Sequence, residues 1–204
     1  MPNSGPKQNF ISTKRIETLV DGIFAIVMTL LVLSIKLPDN SGMVTDTMVW
    51  GILWGQATNL LIYALSFYIL ATLWINHHRI FDQLKRADHG LWWITVLWLL
   101  LIALVPFSTY LMGDFGNALP AALFFQANML LIGIISLLNR WYVIEKNLSD
   151  KAYKPATIKH IYIINLVFPA SALLGIGIAF ISPPWSPIVY LFSPLAIRYF
   201  QLQY

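Results

Sequence analysis

The sequence predicts an all-α, polytopic membrane protein with six transmembrane helices, in one domain that covers residues 1–204. Three observations lead to this prediction. Only 11% of the residues are charged and 58% are hydrophobic, whereas a soluble domain usually carries about a quarter charged residues. The chain also divides into six apolar stretches, each near the roughly 20 residues that cross a bilayer. Lys and Arg, finally, are distributed very unevenly among the segments between these stretches.

The six predicted spans are separated by segments rich in turn-forming residues, such as "PDNSG", "GDFGN" and "SPPWSP". In chain order the spans cover residues 19–37, 49–75, 91–112, 119–138, 161–181 and 185–203. The second has 27 residues and would be about 40 Å long as one helix, so we expect it to tilt or to project beyond the lipid. Proline should kink the third span at Pro106 and the fifth at Pro169. The sixth is the least regular, because it contains Pro187, Pro194 and Arg198.

Positive charge predicts the orientation of these spans. With the N-terminus inside, Lys36 is the only Lys or Arg of the 13 that falls outside, as the positive-inside rule favours. The prediction is a cell-membrane protein with both termini cytoplasmic. The first apolar run is too long for a cleavable signal peptide, and no small-x-small site follows it. The cytoplasmic cations are Lys7, Lys14, Arg15, Arg79, Lys85, Arg86, Arg140, Lys146, Lys151, Lys154, Lys159 and Arg198.

Residue types exclude several kinds of site. The chain has no Cys, so disulfides, thiolate metal ligands and cysteine nucleophiles are all excluded. Adjacent residues of a helix point about 100° apart, so His77 and His78 do not ligate one ion together. No nucleophile with a base and no grouped metal ligands occur, which disfavours an enzyme. We expect no cofactor, no resident metal and no nucleic-acid partner.

The first span contains a candidate functional face. At 100° per residue, Ile26, Thr29, Leu30 and Leu33 fall within an arc of about 100°. Asp21 points away from this arc, toward a neighbouring helix. A carboxylate at this depth is costly unless it is paired, and such residues usually mark function. The alternative is that Asp21 only caps the helix at the interface.

Candidate partners for Asp21 lie at the inner end of the second span, in "LATLWINHHRIFDQLKR". We expect a structural polar network near the cytoplasmic end that consists of Arg15, Asp21, Trp74, His77 and His78. One imidazole should bond Asp21 or a backbone group, and the other should face the cytoplasm.

Residues 15–35, "RIETLVDGIFAIVMTLLVLSI", resemble the first helix of the transmembrane protein 175 family, the lysosomal and bacterial potassium channels without a P-loop. That family opens with Arg-x-x-x-Phe-Ser-Asp, then Gly, an apolar residue, Phe, Ala, Ile and a Thr-Leu-Leu run. The chain departs from this pattern at Leu19 and Val20, which stand where the family has Phe and Ser. The family's Trp-x-x-His pattern is matched by Trp74 with His77. The matching residues of the first helix are Arg15, Asp21, Gly22, Phe24, Ala25, Ile26, Thr29, Leu30 and Leu31.

The resemblance implies a homotetramer whose first helices line a central pore for monovalent cations, in the single-repeat bacterial branch. It implies an apolar constriction or gate at Ile26, Leu30 and Leu33, and a hydroxyl layer at Thr29 that contributes to ion selectivity. The chain has no Thr-Val-Gly-Tyr-Gly filter sequence. We therefore expect a potassium-preferring channel with modest selectivity over sodium, with K⁺ as permeant ion and with itself and the lipid bilayer as partners.

Three other interpretations remain at this point. The apolar stripe of the first span is also what ordinary helix packing produces, since Ile and Leu at helical spacing usually belong to a core. A small secondary transporter or proton-coupled carrier is the main functional alternative, but it would place ionisable groups near the bilayer midplane. The spans here have no central charge, and the polar residues that they do contain more often join helices together; they are Gln56, Asn59, Gln126, Asn128 and Asn165. The third interpretation is a membrane scaffold protein that transports nothing.

Overall fold

The computed structural model describes residues 11–37, 44–150 and 155–193 of the chain. Helices make up almost all of this part, and its only β pairings are two isolated bridges. The α-helices are α1 (Thr13–Leu30), α2 (Asp46–Gly55), α3 (Ala57–Phe81), α4 (His89–Ala103), α5 (Val105–Phe115), α6 (Leu119–Glu145) and α7 (Pro155–Ile181). Two 3₁₀ segments complete the secondary structure: Leu31–Ser34 continues α1, and Pro183–Ile188 follows α7. The all-α prediction is confirmed.

Five segments of the described chain are long and apolar enough to cross a membrane. They are Thr13–Ser34, Ala57–Phe81, His89–Phe115, Leu119–Glu145 and Ile158–Ile181. The first, fourth and fifth correspond to predicted spans with shifted bounds. The predicted sixth span begins within the 3₁₀ segment and continues as helix to Ser193. Its remainder, including Pro194 and Arg198, lies outside the described residues.

The second predicted span is wrong as a single helix over residues 49–75. The chain forms α2, turns at Gln56 and continues as α3 to Phe81. The Gln56 side chain explains the break: its Nε2 donates to the backbone oxygen of Lys36 (3.0 Å), and its Oε1 accepts from Asn59 Nδ2 (2.7 Å). The span is therefore displaced toward the C-terminus, and the residues around Trp74 belong to its last two turns.

The third span is interrupted near the predicted proline. Helix α4 ends at Ala103, and α5 begins at Val105 with Pro106 in its first turn, where a missing backbone N–H costs least. Pro169 lies inside α7, which runs without a break. Its ring packs on Gly133 of α6, where an added Cβ would come within 3.0 Å of the proline. A small residue at this position lets the two backbones approach closely.

Five polar side chains within the spans hydrogen-bond across helices, as expected for residues that join helices. Besides Gln56, these are Asn59 to Asp114 (3.2 Å), Asn128 to Ser108 (3.3 Å), Gln126 from Tyr190 (2.6 Å) and Asn165 from Asn76 (3.3 Å). These bonds link α3 with α5 and α7, and α6 with α5 and the chain beyond α7. Each of these polar side chains thus has a structural partner, although Gln126 Nε2 and Asn128 Oδ1 have none in the described residues.

Backbone hydrogen bonds join the loops at the predicted cytoplasmic end. Ile11 N donates to Ala87 O (2.9 Å), which ties the start of α1 to the α3–α4 loop. That loop is tied in turn to the segment after α6, since Lys85 N donates to Leu148 O (2.9 Å) and Asp150 N to Gln83 O (2.9 Å). The inner end of α1 is therefore fixed to the rest of the subunit.

Candidate pore face of the first helix

Helix α1 has one packed face and one open face. The packed face consists of apolar side chains that are at most 3% exposed: Ile16, Val20, Phe24, Val27 and Leu31. Their spacing of three or four residues keeps them on one side of an α-helix. They pack against α3, α4 and α5 of the same chain. Val20, which stands where the resembling family has Ser, therefore makes an apolar contact.

The open face contains the four residues predicted to line a pore. Ile26 is 60% exposed, Leu30 is 43% exposed and Leu33 is 69% exposed; Thr29 lies among them and is also exposed. In the part of the chain that the structure describes, no neighbouring helix buries these side chains. Packing against the described helices of the same subunit, which was one of the interpretations of this stripe, does not account for it.

The Thr29 hydroxyl is oriented by its own helix. Its Oγ1 donates to the backbone oxygen of Ile26 at 2.7 Å. A hydroxyl has one proton and two lone pairs, so this bond uses the proton and leaves the lone pairs directed away from the helix. Thr29 therefore presents an acceptor oxygen on the open face, beside apolar neighbours.

Asp21 lies at the border between the two faces and is held by α3. Trp74 Nε1 donates to Asp21 Oδ1 at 2.9 Å, and His78 Nε2 lies 3.7 Å from the same oxygen. The Trp74 and His78 rings, one turn apart, contact each other with centroids at 4.6 Å. Both Asp21 and His78 are partly exposed, at 48% and 35% of their side chains. These contacts form a clamp that ties one side of α1 to α3, and a role for Asp21 as a helix cap does not fit its position in the third turn.

Two members of the expected polar network lie elsewhere. One of the two imidazoles was expected to face the cytoplasm; with His78 beside Asp21 the other is His77, which is instead buried, at 4% exposed. Its ring stacks between Phe81 (4.2 Å) and Trp98 (5.0 Å), and Trp98 in turn contacts Phe24 on the packed face of α1 (5.4 Å). Neither His77 nitrogen has a hydrogen-bond partner in the described part of the chain. Arg15 is exposed and forms no hydrogen bond or ion pair with the other four residues of the expected network.

The C-terminal end of α1, which the predicted topology places outside, adjoins a polar cluster that sequence reasoning did not identify. Lys36 Nζ donates to Tyr110 Oη at 3.2 Å and lies 4.5 Å from the centroid of the same ring. The Lys36 backbone oxygen accepts the bond from Gln56, and Gln56 is joined to Asn59 and so to Asp114. These residues come from three separate segments, so no local pattern could have grouped them.

Potential metal ligands are not clustered in the described part of the chain. Residues 11–37, 44–150 and 155–193 contain no cluster of three or more His, Asp or Glu side chains able to hold an ion. The chemistry that the site offers is therefore an apolar surface with one acceptor oxygen, that of Thr29, next to a clamped carboxylate.

Comparison with known proteins gives the same family in three ways. Residues 15–106 match the family described as "Endosomal/lysosomal potassium channel TMEM175". A relative named potassium channel from Chamaesiphon minutus is 39% identical over 110 residues, which are 54% of this chain and 53% of the relative. A zebrafish (Danio rerio) relative named endosomal/lysosomal proton channel TMEM175 is 25% identical over 130 residues, 62% of this chain and 24% of that protein.

A solved structure matches nearly the whole chain. The crystal structure of a lysosomal potassium-selective channel TMEM175 homolog from Chamaesiphon minutus superposes with a TM-score of 0.77 and 31% identity. The superposition covers 94% of this chain and 97% of that one. By sequence, in contrast, the chain spans about half the length of the curated bacterial relatives it matches.

Proposed function

This chain belongs to the TMEM175 family of endosomal/lysosomal potassium channels, and from that premise we propose that it forms a potassium-preferring cation channel lined by α1. The relatives are ion channels and not enzymes, and several apolar helices make this a multi-pass membrane protein. The observation that carries the proposal is the open face of α1. Ile26 and Leu33 are mostly exposed in the single subunit, although the opposite face of the same helix is fully packed.

An apolar wall suits a pore that closes by dewetting. A narrow ring of aliphatic side chains excludes water, and with it the hydrated ion, until the ring widens. In the proposed assembly, Ile26 forms the narrowest ring, and Leu30 and Leu33 form further rings toward the outside. The clamp on Asp21 supports this arrangement, because it fixes which side of α1 turns away from the subunit.

Thr29 is the proposed selectivity residue. Its hydroxyl proton is engaged by the Ile26 carbonyl, so each subunit offers an acceptor oxygen to a cation that has lost part of its hydration. One hydroxyl per subunit replaces few waters compared with a filter of backbone carbonyls. We accordingly propose modest selectivity for K⁺ over Na⁺, with K⁺ as permeant ion and no cofactor.

The proposed assembly is a homotetramer in the cell membrane with both termini cytoplasmic. A sixth span over residues 185–203 completes the even number of crossings that this orientation needs. The whole of residues 1–204 then forms a single channel domain. Cross-linking or mass measurement of the purified protein in detergent gives the subunit number directly.

Ion flux from liposomes distinguishes a pore face from a lipid-facing surface. Wild type and Ile26→Asn are reconstituted, and K⁺ efflux is followed with a K⁺ electrode. An amide at a dewetted ring admits water, so Ile26→Asn should increase the leak of K⁺. If Ile26 faced lipid instead, the amide would lower the yield of folded protein without increasing the flux.

A matched control keeps both the volume and the apolar character of the Ile26 side chain. Ile26→Leu should conduct like wild type, and both variants should elute as folded oligomers before reconstitution. Folded Ile26→Asn protein with wild-type flux would contradict the proposed pore.

Proton permeation is a second candidate, favoured by the name of the zebrafish relative. The described spans contain no unpaired acid at the midplane, and their central amides are bonded across helices. Proton transport would therefore need a water wire through the opened rings and would increase with Ile26→Asn. A pH-sensitive dye inside the same liposomes measures the proton flux, in parallel with the K⁺ flux. Proton flux without K⁺ flux would favour a proton channel over a potassium channel.

A further inference from the structure

The outer end of the pore helix presents an electrostatic problem for a cation channel. Lys36 is the only Lys or Arg on the outer side in the predicted topology. It follows Leu33, the outermost apolar residue of the open face, by three residues, which span at most about 11 Å. A free ammonium group so close to the mouth in every subunit would repel the entering cations.

The structure directs this ammonium group away from the open face. Lys36 Nζ donates to Tyr110 Oη at 3.2 Å and lies over the same ring, 4.5 Å from its centroid. Tyr110 belongs to α5, and Phe115 contacts its ring edge-to-face with centroids at 6.3 Å. Since α5 lies on the packed side of α1, the bond pulls the charge back toward the subunit.

The backbone at Lys36 is held by a second set of contacts. Gln56 Nε2 donates to the Lys36 carbonyl at 3.0 Å, and Asn59 links Gln56 to the Asp114 carboxylate. The side chain of Lys36 therefore extends from a fixed point, and its direction depends on Tyr110. Asp114 lies one helical turn after Tyr110 and adds a negative charge on the same side of α5.

We propose that Tyr110 holds the Lys36 ammonium group off the conduction path and that this pair sets the rate at which cations enter from outside. The inference rests on the proposed channel function and adds an entry-controlling residue pair to it. Tyr110 acts as a positioning residue, because it influences the ion through Lys36.

The size of the effect follows from Coulomb's law. One unit charge at 10 Å in water changes the local concentration of a monovalent cation by about two-fold when salt is low. Four subunits would multiply this change. The Debye length is about 30 Å at 0.01 M and about 3 Å at 1 M ionic strength, so the effect should disappear in concentrated salt.

The experiment measures inward K⁺ current through the reconstituted full chain at 10 mM and at 1 M KCl. Tyr110→Leu removes both the hydroxyl and the ring, so Lys36 is released and the inward current at 10 mM should fall by about two-fold or more. Tyr110→Phe keeps the ring and should have a smaller effect. Lys36→Gln removes the charge and should not lower the current, whereas Lys36→Arg keeps the charge as a control.

The double variant separates charge from packing. In the Lys36→Gln background, Tyr110→Leu should no longer reduce the current, and at 1 M KCl all variants should conduct alike. An equal loss in both backgrounds, or a loss that persists at 1 M, would overturn the inference, because Tyr110 would then act through packing. If wild type conducts and the variants carry the same current, the inference about Tyr110 and Lys36 is overturned but the proposed channel function stands. A wild type without current would contradict the proposed function as well.

Discussion

The packed and open faces of α1 are built from the same kinds of side chain but have opposite surroundings. Phe24 and Leu31 are buried by α3, α4 and α5, whereas Leu30 and Leu33 on the open face remain 43% and 69% exposed in the described chain. Hydrophobicity alone does not distinguish the faces, because lipid tails and protein interiors are equally apolar. The difference lies in shape: the packed face fits fixed neighbours, and its residues should be far less tolerant of substitution.

The largest expected effect is on the packed face. Phe24→Ala removes a ring that is 1% exposed and contacts Trp98 at 5.4 Å. Such a cavity costs about 3–5 kcal/mol in a soluble core, and somewhat less where lipid replaces water as the reference. Leu33→Ala, on the open face of the same span, should cost about 0.5 kcal/mol or less. Thermal unfolding in detergent measures the stability lost by each variant. Equal losses would contradict the difference between the faces, because they would mean that Leu33 is packed as tightly as Phe24.

The clamp between the faces should give the next largest effect. Asp21→Ala removes the acceptor of the Trp74 indole, and a hydrogen bond to a charged group contributes about 1.5–3 kcal/mol when it is buried. Because the Asp21 side chain is 48% exposed, the lower end applies. Asp21→Asn keeps an acceptor oxygen and serves as the control. Thermal midpoints and Trp fluorescence report the loss; a stable Asp21→Ala protein with unchanged fluorescence would show that the clamp does not fix α1.

A smaller effect, of opposite sign, is expected behind the packed face. His77 stacks between Phe81 and Trp98 with both nitrogens unpaired in the described chain. His77→Phe keeps a ring in the stack and removes the unpaired polar atoms, so it should be neutral or stabilising by about 1 kcal/mol. His78→Phe instead loses the contact with Asp21. A clear destabilisation by His77→Phe would indicate that an imidazole nitrogen has a partner in the assembled protein.

Thr29→Val should change stability least, because Thr29 is exposed and valine has nearly the same shape. It removes the acceptor oxygen from the open face, so we expect the K⁺/Na⁺ permeability ratio to change. A hydrogen bond of about 1 kcal/mol corresponds to roughly five-fold in such a ratio. Thr29→Ser keeps the hydroxyl and should retain the wild-type ratio. Reversal potentials in bi-ionic conditions measure both variants, and an unchanged ratio in Thr29→Val would remove Thr29 from the selectivity mechanism.

Much of the fold was predictable because a bilayer imposes one length and one composition on every span. Helical periodicity also placed Asp21 toward a neighbouring helix and Ile26, Thr29, Leu30 and Leu33 together. The break at Gln56 was not predictable, because it depends on a bond to the Lys36 carbonyl, 20 residues away. A hydropathy window does not detect a polar side chain that turns the backbone while its neighbours stay apolar.

The site was predictable only where local geometry determines it. The position of Trp74, His77 and His78 at the inner end of the second span placed them near Asp21, and the structure brings Trp74 and His78 to its carboxylate. The sequence did not reveal that His77 turns inward, since it does not distinguish two adjacent histidines until the aromatic rings around them are known. Lys36 was counted as a charge, but its partner Tyr110 is 74 residues away, beyond the reach of any pattern.

The change of winding at the end of α1 affects how the two leucine layers are aligned. Residues Leu31–Ser34 form a 3₁₀ turn, in which side chains three positions apart eclipse each other and rise by about 6 Å. With α winding, Leu33 would instead sit about 60° round the axis from Leu30. Viewed down the helix, the tighter winding therefore brings the two isobutyl groups nearer to alignment than a continuous α-helix would. In an assembly of copies around one axis, the ring of Leu33 would then stand more directly above the ring of Leu30, and the two rings would line one continuous apolar passage.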